Sequence, residues 1–198
     1  MDNNNCRQCR KFGTKLFLKG ERCLSPKCAV TRRNYAPGGQ GAKSRPPRKS
    51  EYGIQLAEKQ KAKTEYGLRE RQFAKIFTTA SKSKTATGSE LLKLLEIRLD
   101  NVIYRLGWAT SRAQARQIVL HRKIKLNNKI ANIPSIVLEP GDKISPKDKK
   151  SVSPVKTVMP KWLKLEAKEQ TAEILRLPER TEIESDIDEQ LITEFYSR

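Results

Sequence analysis

Four cysteines within the first 28 residues constrain this chain more than any other feature. Cys6 and Cys9 are separated by two residues, Cys23 and Cys28 by four, and thirteen residues lie between the pairs. Two close pairs of thiolates can close a tetrahedral shell around Zn²⁺ with no position left for water, which describes a structural rather than a catalytic metal. The loop within each pair becomes a knuckle. Arg7, Arg10, Lys11, Arg22 and Lys27 favour the thiolate form and offset the charge of a four-thiolate site. An iron–sulfur cluster takes the same ligands. The other readings are two unrelated thiol pairs or a redox Cys-Arg-Gln-Cys. A redox motif belongs at a strand-to-helix junction, and no such pattern surrounds Cys6.

The chain has 198 residues, 41 Lys plus Arg and 22 Asp plus Glu, for a formal charge of +19. The charge is unevenly spread. Residues 1–50 carry a net +11, residues 51–160 a net +12 and residues 161–198 a net −4. The first 160 residues therefore suit a polyanion, either nucleic acid or an anionic surface, and the acidic tail suits solvent or a protein. No run of about 18 apolar residues is present and the start, Met1–Asn5, has no apolar stretch, so a cytosolic chain without a membrane span is expected. At 36% apolar residues, a modest core is expected.

Residues 34–49 hold Pro37, Gly38, Gly39, Gly41, Pro46 and Pro47 among Lys43, Arg45, Arg48 and Lys49, an extended basic loop. Ser50 caps a helix to about Lys63, and a second helix is expected from Leu68 to about Ser81. Ser89 caps the clearest helix, expected to run unbroken to Leu106 on the stripe Leu91, Leu92, Leu95, Leu99, Val102, Ile103 and Leu106. Arg98, Asn101 and Arg105 share another face of it. Ser111 starts a helix to about His121, with Gln114 as capping-box partner and Arg112 and Arg116 one turn apart. Two such helices joined at Gly107–Thr110 can present these donors to phosphate, Arg forks being suited to bidentate contact. The alternative is an ordinary amphipathic pair whose arginines are only solvated.

The period then changes. Ile124, Leu126, Ile130, Ile136, Val137, Leu138 and Ile144 lie in short runs, split by Asn127-Asn128, a candidate hairpin turn, and by Pro140-Gly141-Asp142. Lys123, Lys125 and Lys129 extend the basic field. Residues 145–160 read as a linker, Trp162–Leu165 and Ile174–Leu177 as short strands, and Asp188–Tyr196 as a last helix. His121 reads as a cap or surface residue, Trp108 and Trp162 as packing residues. No phosphate loop, triad order or open metal site is present, so neither an enzyme nor a small-molecule substrate is expected.

Several segments together resemble the bacterial S-four family of small-subunit ribosomal proteins. They are Leu16–Cys23, Arg69–Phe73, Arg98–Gly107, Ser111–Gln117, Pro134-Ser135, Gly141-Asp142, and Asp188–Ile192 with Glu194–Arg198. The resemblance implies an α+β protein. A helical N-terminal domain with a zinc knuckle receives an inserted RNA-binding module of two helices plus a small twisted β-sheet. The implied divisions are 1–49 (knuckle and basic loop), 50–96 (helical part), 97–158 (module) and 159–198 (return segment packing on the first domain).

It further implies a cytoplasmic, ribosomal, structural protein that binds small-subunit rRNA and nucleates assembly of the subunit body. With ribosomal proteins S-five and S-twelve it would influence accuracy, with S-five as a direct contact. The basic loop Lys43, Arg45, Arg48 and Lys49 would lie near the channel by which mRNA enters. Cys6, Cys9, Cys23 and Cys28 carry over as zinc ligands. The expected RNA contacts of the module are Arg98, Asn101, Arg105, Ser111, Arg112, Gln114, Arg116, Lys123 and Lys125. The alternatives are an RNA-modifying enzyme or a zinc-containing nucleic-acid-binding regulator built on the same module. Against the family pattern, the chain has Met1–Asn5 in place of a basic, aromatic lead-in. It has Arg122 and Asn128 where glycines are usual, and a short stretch after Lys150 that implies a smaller contact surface there.

Overall fold

One extended residue breaks the longest apolar stripe of the sequence. The computed structural model describes residues 4–38, 48, 50–148, 152, 158–166, 170–183 and 185–197. In it the helix expected over 89–106 is two helices, α6 (Thr87–Glu96) and α7 (Leu99–Arg105). Arg98 between them is extended, with φ −69° and ψ 140°, and bridges Val137 in antiparallel fashion. The N–H groups of Leu99 and Asp100 donate to the carbonyls of Ile136 and Pro134, at 2.9 and 3.1 Å, and Leu138 N–H donates to the Ile97 carbonyl at 3.0 Å. These bonds satisfy amides that a helix start leaves without partners. They also take Ile136–Leu138 out of the sheet: beyond the single bridge, that run forms no strand. Helix α6 begins a turn earlier than Ser89, after Ala86.

The chain divides into two units. The first comprises residues 1–73 and 186–198. Its helices are α1 (Asn4–Phe12), α2 (Glu21–Leu24), α3 (Ala29–Arg32), α4 (Glu51–Glu65), the start of α5 (Glu70–Ala80) and α9 (Glu189–Tyr196). Ser50 caps α4 by accepting from Gly53 N–H at 3.2 Å, and Asp188 caps α9 by accepting from Gln190 and Leu191 N–H. Ser50 is the cap the sequence indicates, and Asp188, expected as the first residue of the last helix, stands just before it as the cap. Helix α9 packs along α4. The rings of Phe195 and Tyr52 lie 5.6 Å apart, those of Tyr196 and Phe73 6.4 Å, and Ile192 and Phe73 are fully buried.

The second unit comprises residues 74–185. It holds most of α5, then α6, α7 and α8 (Arg112–Leu120), followed by β1 (Ile124–Leu126), β2 (Lys129–Ala131), β3 (Lys143–Pro146), β4 (Leu163–Glu166) and β5 (Thr171–Ile174). All pairings are antiparallel, in the order β2-β1-β3-β5-β4. The sheet thus continues beyond residue 158, and of the expected return segment only the stretch from Asp186 lies in the first unit. The reason is register: Ile144 pairs with Ala172 and Leu163 with Ile174, so β4 and β5 extend the apolar face begun by Ile124. Alternation sends Ile124, Ile144, Ala172, Ile174 and Leu163 inward against Leu99, Val102, Ile103 and Val119. Trp108 and Trp162 are buried in the same core, as packing residues. Full burial of each large aliphatic chain stabilises the unit by about 1.5–3 kcal/mol. The strand expected at Ile174–Leu177 ends at Ile174 instead, and Leu175 and Leu177 are exposed.

Candidate RNA-binding face and cysteine cluster

The arginines of α7 and α8 are not a row of independent surface cations. Two acids that the sequence reading did not weigh, Glu96 and Asp100, are 1% and 6% exposed and sit among them. Glu96 takes both ends of the Arg105 fork at 2.8 Å and accepts from the Asn101 amide at 2.8 Å. Asp100 takes both ends of the Arg98 fork, at 3.1 and 2.8 Å, accepts from the Asn101 backbone N–H at 3.0 Å, and meets Arg116 at 3.4 Å. The Asn101 amide also donates to the Glu96 carbonyl at 3.0 Å, and its oxygen accepts from Arg112 Nε at 2.8 Å. The Arg112 guanidinium lies 4.8 Å over the Tyr104 ring. Helical spacing gave no signal for these two acids: the bonds join residues 2, 9 and 16 positions apart rather than one turn apart.

This arrangement sorts the expected contacts. Arg98 and Asn101 are 4% and 2% exposed and face inward, because each is held by a buried carboxylate. Ser111, also buried, caps α8 by accepting from Gln114 N–H at 3.3 Å. Gln114 does not complete the expected capping box on Ser111. Its side-chain oxygen instead accepts from the N–H and hydroxyl of Thr110, both at 2.7 Å. Arg105 and Arg112 are half-buried, and the Arg116 side chain is 39% exposed. Lys123 is exposed, Lys125 half-buried and Lys129 exposed. The turn between β1 and β2 has Asn127 and Asn128 at φ 49° and 66°, the left-handed pair such a hairpin needs. His121 is the exposed C-cap of α8. Arg48 is exposed, and Lys43, Arg45 and Lys49 lie outside the described residues.

Cys6, Cys9, Cys23 and Cys28 line one small cavity of about 20 Å³, together with Leu18, Lys19 and Arg22. All four are free thiols. Burial, and then the neighbouring cysteines, push the Cys9 thiol up against a lowering backbone contact from Leu16. Burial likewise raises Cys23, although Lys19 N–H donates to its sulfur at 3.4 Å. Burial also acts upward on Cys28, but the Thr31 and Val30 amides, the Thr31 hydroxyl and the Lys15 charge together lower it. Among the described residues no group of three or more His, Cys, Asp or Glu is arranged to hold a metal ion. The shared cavity and the lack of a closed ligand set pull in different directions. The donor chemistry, four cysteine sulfurs on one cavity, fits a soft divalent ion.

A helix pair backed by a small antiparallel sheet, with arginines on the helices and lysines at the hairpin, is the architecture of an S4 domain. Residues 97–144 match the S4 domain profile, and residues 2–96 match that of the Ribosomal protein S4/S9 N-terminal domain. The chain is 51% identical to small ribosomal subunit protein uS4 of Dictyoglomus turgidum, over 98% of this chain and 97% of that protein. It is 48% identical to uS4 of Thermus thermophilus, over 98% and 96%, and 43% identical to uS4 of Magnetococcus marinus, over 98% and 97%. The chain belongs to the S4 family of ribosomal proteins.

Proposed function

We propose that this chain is a structural RNA-binding constituent of the small ribosomal subunit, working in the cytoplasm on the ribosome and catalysing no reaction. The observation that carries the reading is end-to-end likeness to relatives named as small-subunit proteins, at about half identity. The family is structural and non-enzymatic, which leaves the RNA-modifying enzyme and the DNA-type regulator without support. The chemistry is neutralisation of phosphates together with recognition of the shape of a folded RNA. On this reading Arg105, Arg112, Arg116, Lys123 and Lys125 face the rRNA, while Arg98, Asn101, Ser111 and Gln114 hold them in place. The basic loop Lys43, Arg45, Arg48 and Lys49 would approach mRNA, and ribosomal protein S-five would be a neighbour. With S-five and S-twelve the chain would affect accuracy, and its early binding would nucleate the subunit body. Zn²⁺ held by Cys6, Cys9, Cys23 and Cys28 would tie α1, α2 and α3 together.

The test is affinity for small-subunit rRNA against a length-matched unrelated RNA across a salt series. A preference that survives at high salt is expected from recognition of a folded junction. Equal, steeply salt-dependent binding to both is the signature of charge alone, and would overturn the reading.

A further inference from the structure

Two carboxylates within a cluster of five guanidinium and amide side chains oppose the charge that attracts RNA, and their burial means they do not simply solvate the face. Their hydrogen bonds supply a different purpose. Asn101 is held at both ends: its nitrogen donates to the side chain and carbonyl of Glu96, which leaves its oxygen oriented toward Arg112 Nε. The Arg112 guanidinium is thereby laid over Tyr104. Asp100 is held by the Arg98 fork and by Asn101 N–H, and tethers Arg116 at the surface. Arg112 and Arg116 lie one turn apart on α8, so the two tethers act on neighbouring cations of one helix face. A long arginine free to sample its rotamers loses that freedom on binding; one already held loses less.

We infer that Glu96, Asn101 and Asp100 form a buried positioning frame that sets where Arg112 and Arg116 meet phosphate, with Asn101 the link to Arg112. This rests on the RNA-binding reading above. Asn101 is then a positioning residue and not itself a contact. The frame also predicts a sign that simple electrostatics reverses: neutralising Asp100 removes a negative charge from the face yet weakens recognition of folded rRNA.

The full-length chain carrying Asn101→Leu tests this without changing any charge. The expected result is an about tenfold loss of affinity for small-subunit rRNA, with unchanged affinity for length-matched unrelated RNA and an unchanged salt slope. In the free protein, the Arg112 Nε proton, followed by NMR, is expected to exchange with water faster in Asn101→Leu than in the parent. Arg112→Met should cost less rRNA affinity in the Asn101→Leu background than in the parent, since the part of its effect that depends on the Asn101 contact is already lost. Asp100→Asn is the second variant. It is expected to lower rRNA affinity while raising or leaving unchanged that for unrelated RNA.

Unchanged Arg112 proton exchange, an equal loss on both RNAs, or additive effects of the Asn101 and Arg112 changes would each overturn the frame. If the parent chain has no preference for rRNA while the Arg112 exchange responds as expected, the RNA reading fails instead, and the frame's role in recognition falls with it. If Asn101→Leu does not fold, the Asp100→Asn sign decides the question.

Discussion

Lys59 carries its charge into the interior of the first unit, where it is 5% exposed. Its ammonium meets Glu70 at 2.5 Å and lies 4.4 Å over the Phe195 ring. Lys63 reaches the other Glu70 oxygen at 2.8 Å, and the Tyr196 hydroxyl donates to Glu70 at 3.4 Å. Burial pushes the Glu70 carboxyl up, but the hydrogen bonds and charges of Lys59 and Lys63 together hold it below its ordinary value of 4.5. The folded state therefore binds fewer protons at this site than the unfolded chain. The contribution is complete above pH 4.5 and is lost as the pH falls through the lowered folded value. In urea unfolding followed against pH, Glu70→Gln should be less stable than the parent at neutral pH and should lose less on acidification below 4.5. Parallel profiles would remove Glu70 from the account. A second residue-scale effect lies at Asn128, exposed and at φ 66°. Asn128→Val places a β-branched residue in the left-handed region and should cost about 1–2 kcal/mol by thermal or urea unfolding. Asn128→Gly should cost nothing.

At the scale of elements, some helix starts were legible, while the start of α6 and the helix break were not. Ser50 and Ser111 cap their helices where the sequence places them, because a cap depends on three or four neighbouring residues, whereas Ser89, the expected cap of the next helix, lies inside α6. Ser111→Ala should therefore lower stability by about 1 kcal/mol in a denaturant titration, with the slope of the transition unchanged. The break at Ile97–Arg98 is set by carbonyls at Pro134 and Ile136 and an amide at Leu138, far along the chain, and the apolar stripe runs through it without a mark. In the sheet, β1, β2 and β3 fall on the expected apolar runs, but Ile136–Leu138 among those runs forms no strand. The places of β4 and β5 in the sheet depend on pairing across a segment rich in proline and lysine. The arginine cluster was half legible. Arginine spacing located α7 and α8, but which arginines turn inward depends on Glu96 and Asp100, whose burial no periodicity reveals.

For the whole molecule, the charge gradient and the cysteines make separate demands. If Zn²⁺ orders the first unit, a chelator should lower amide protection over residues 4–33 and leave that of Leu99–Ile144 unchanged, as hydrogen exchange would read. Equal protection with and without the chelator, with metal loss confirmed by analysis, would end the structural-metal proposal. The break between α6 and α7 has one more consequence. A ribosome delivers a chain from its N-terminus, so α7 is made well before the residues that fix its first turn. The amides of Leu99 and Asp100 wait for the carbonyls of Ile136 and Pro134, and Arg98 waits for Val137. The module's first helix is thus locked only after its hairpin has been synthesised, and a nascent chain stopped short of Pro134 carries α7 without the seam that fixes its first turn and Arg98.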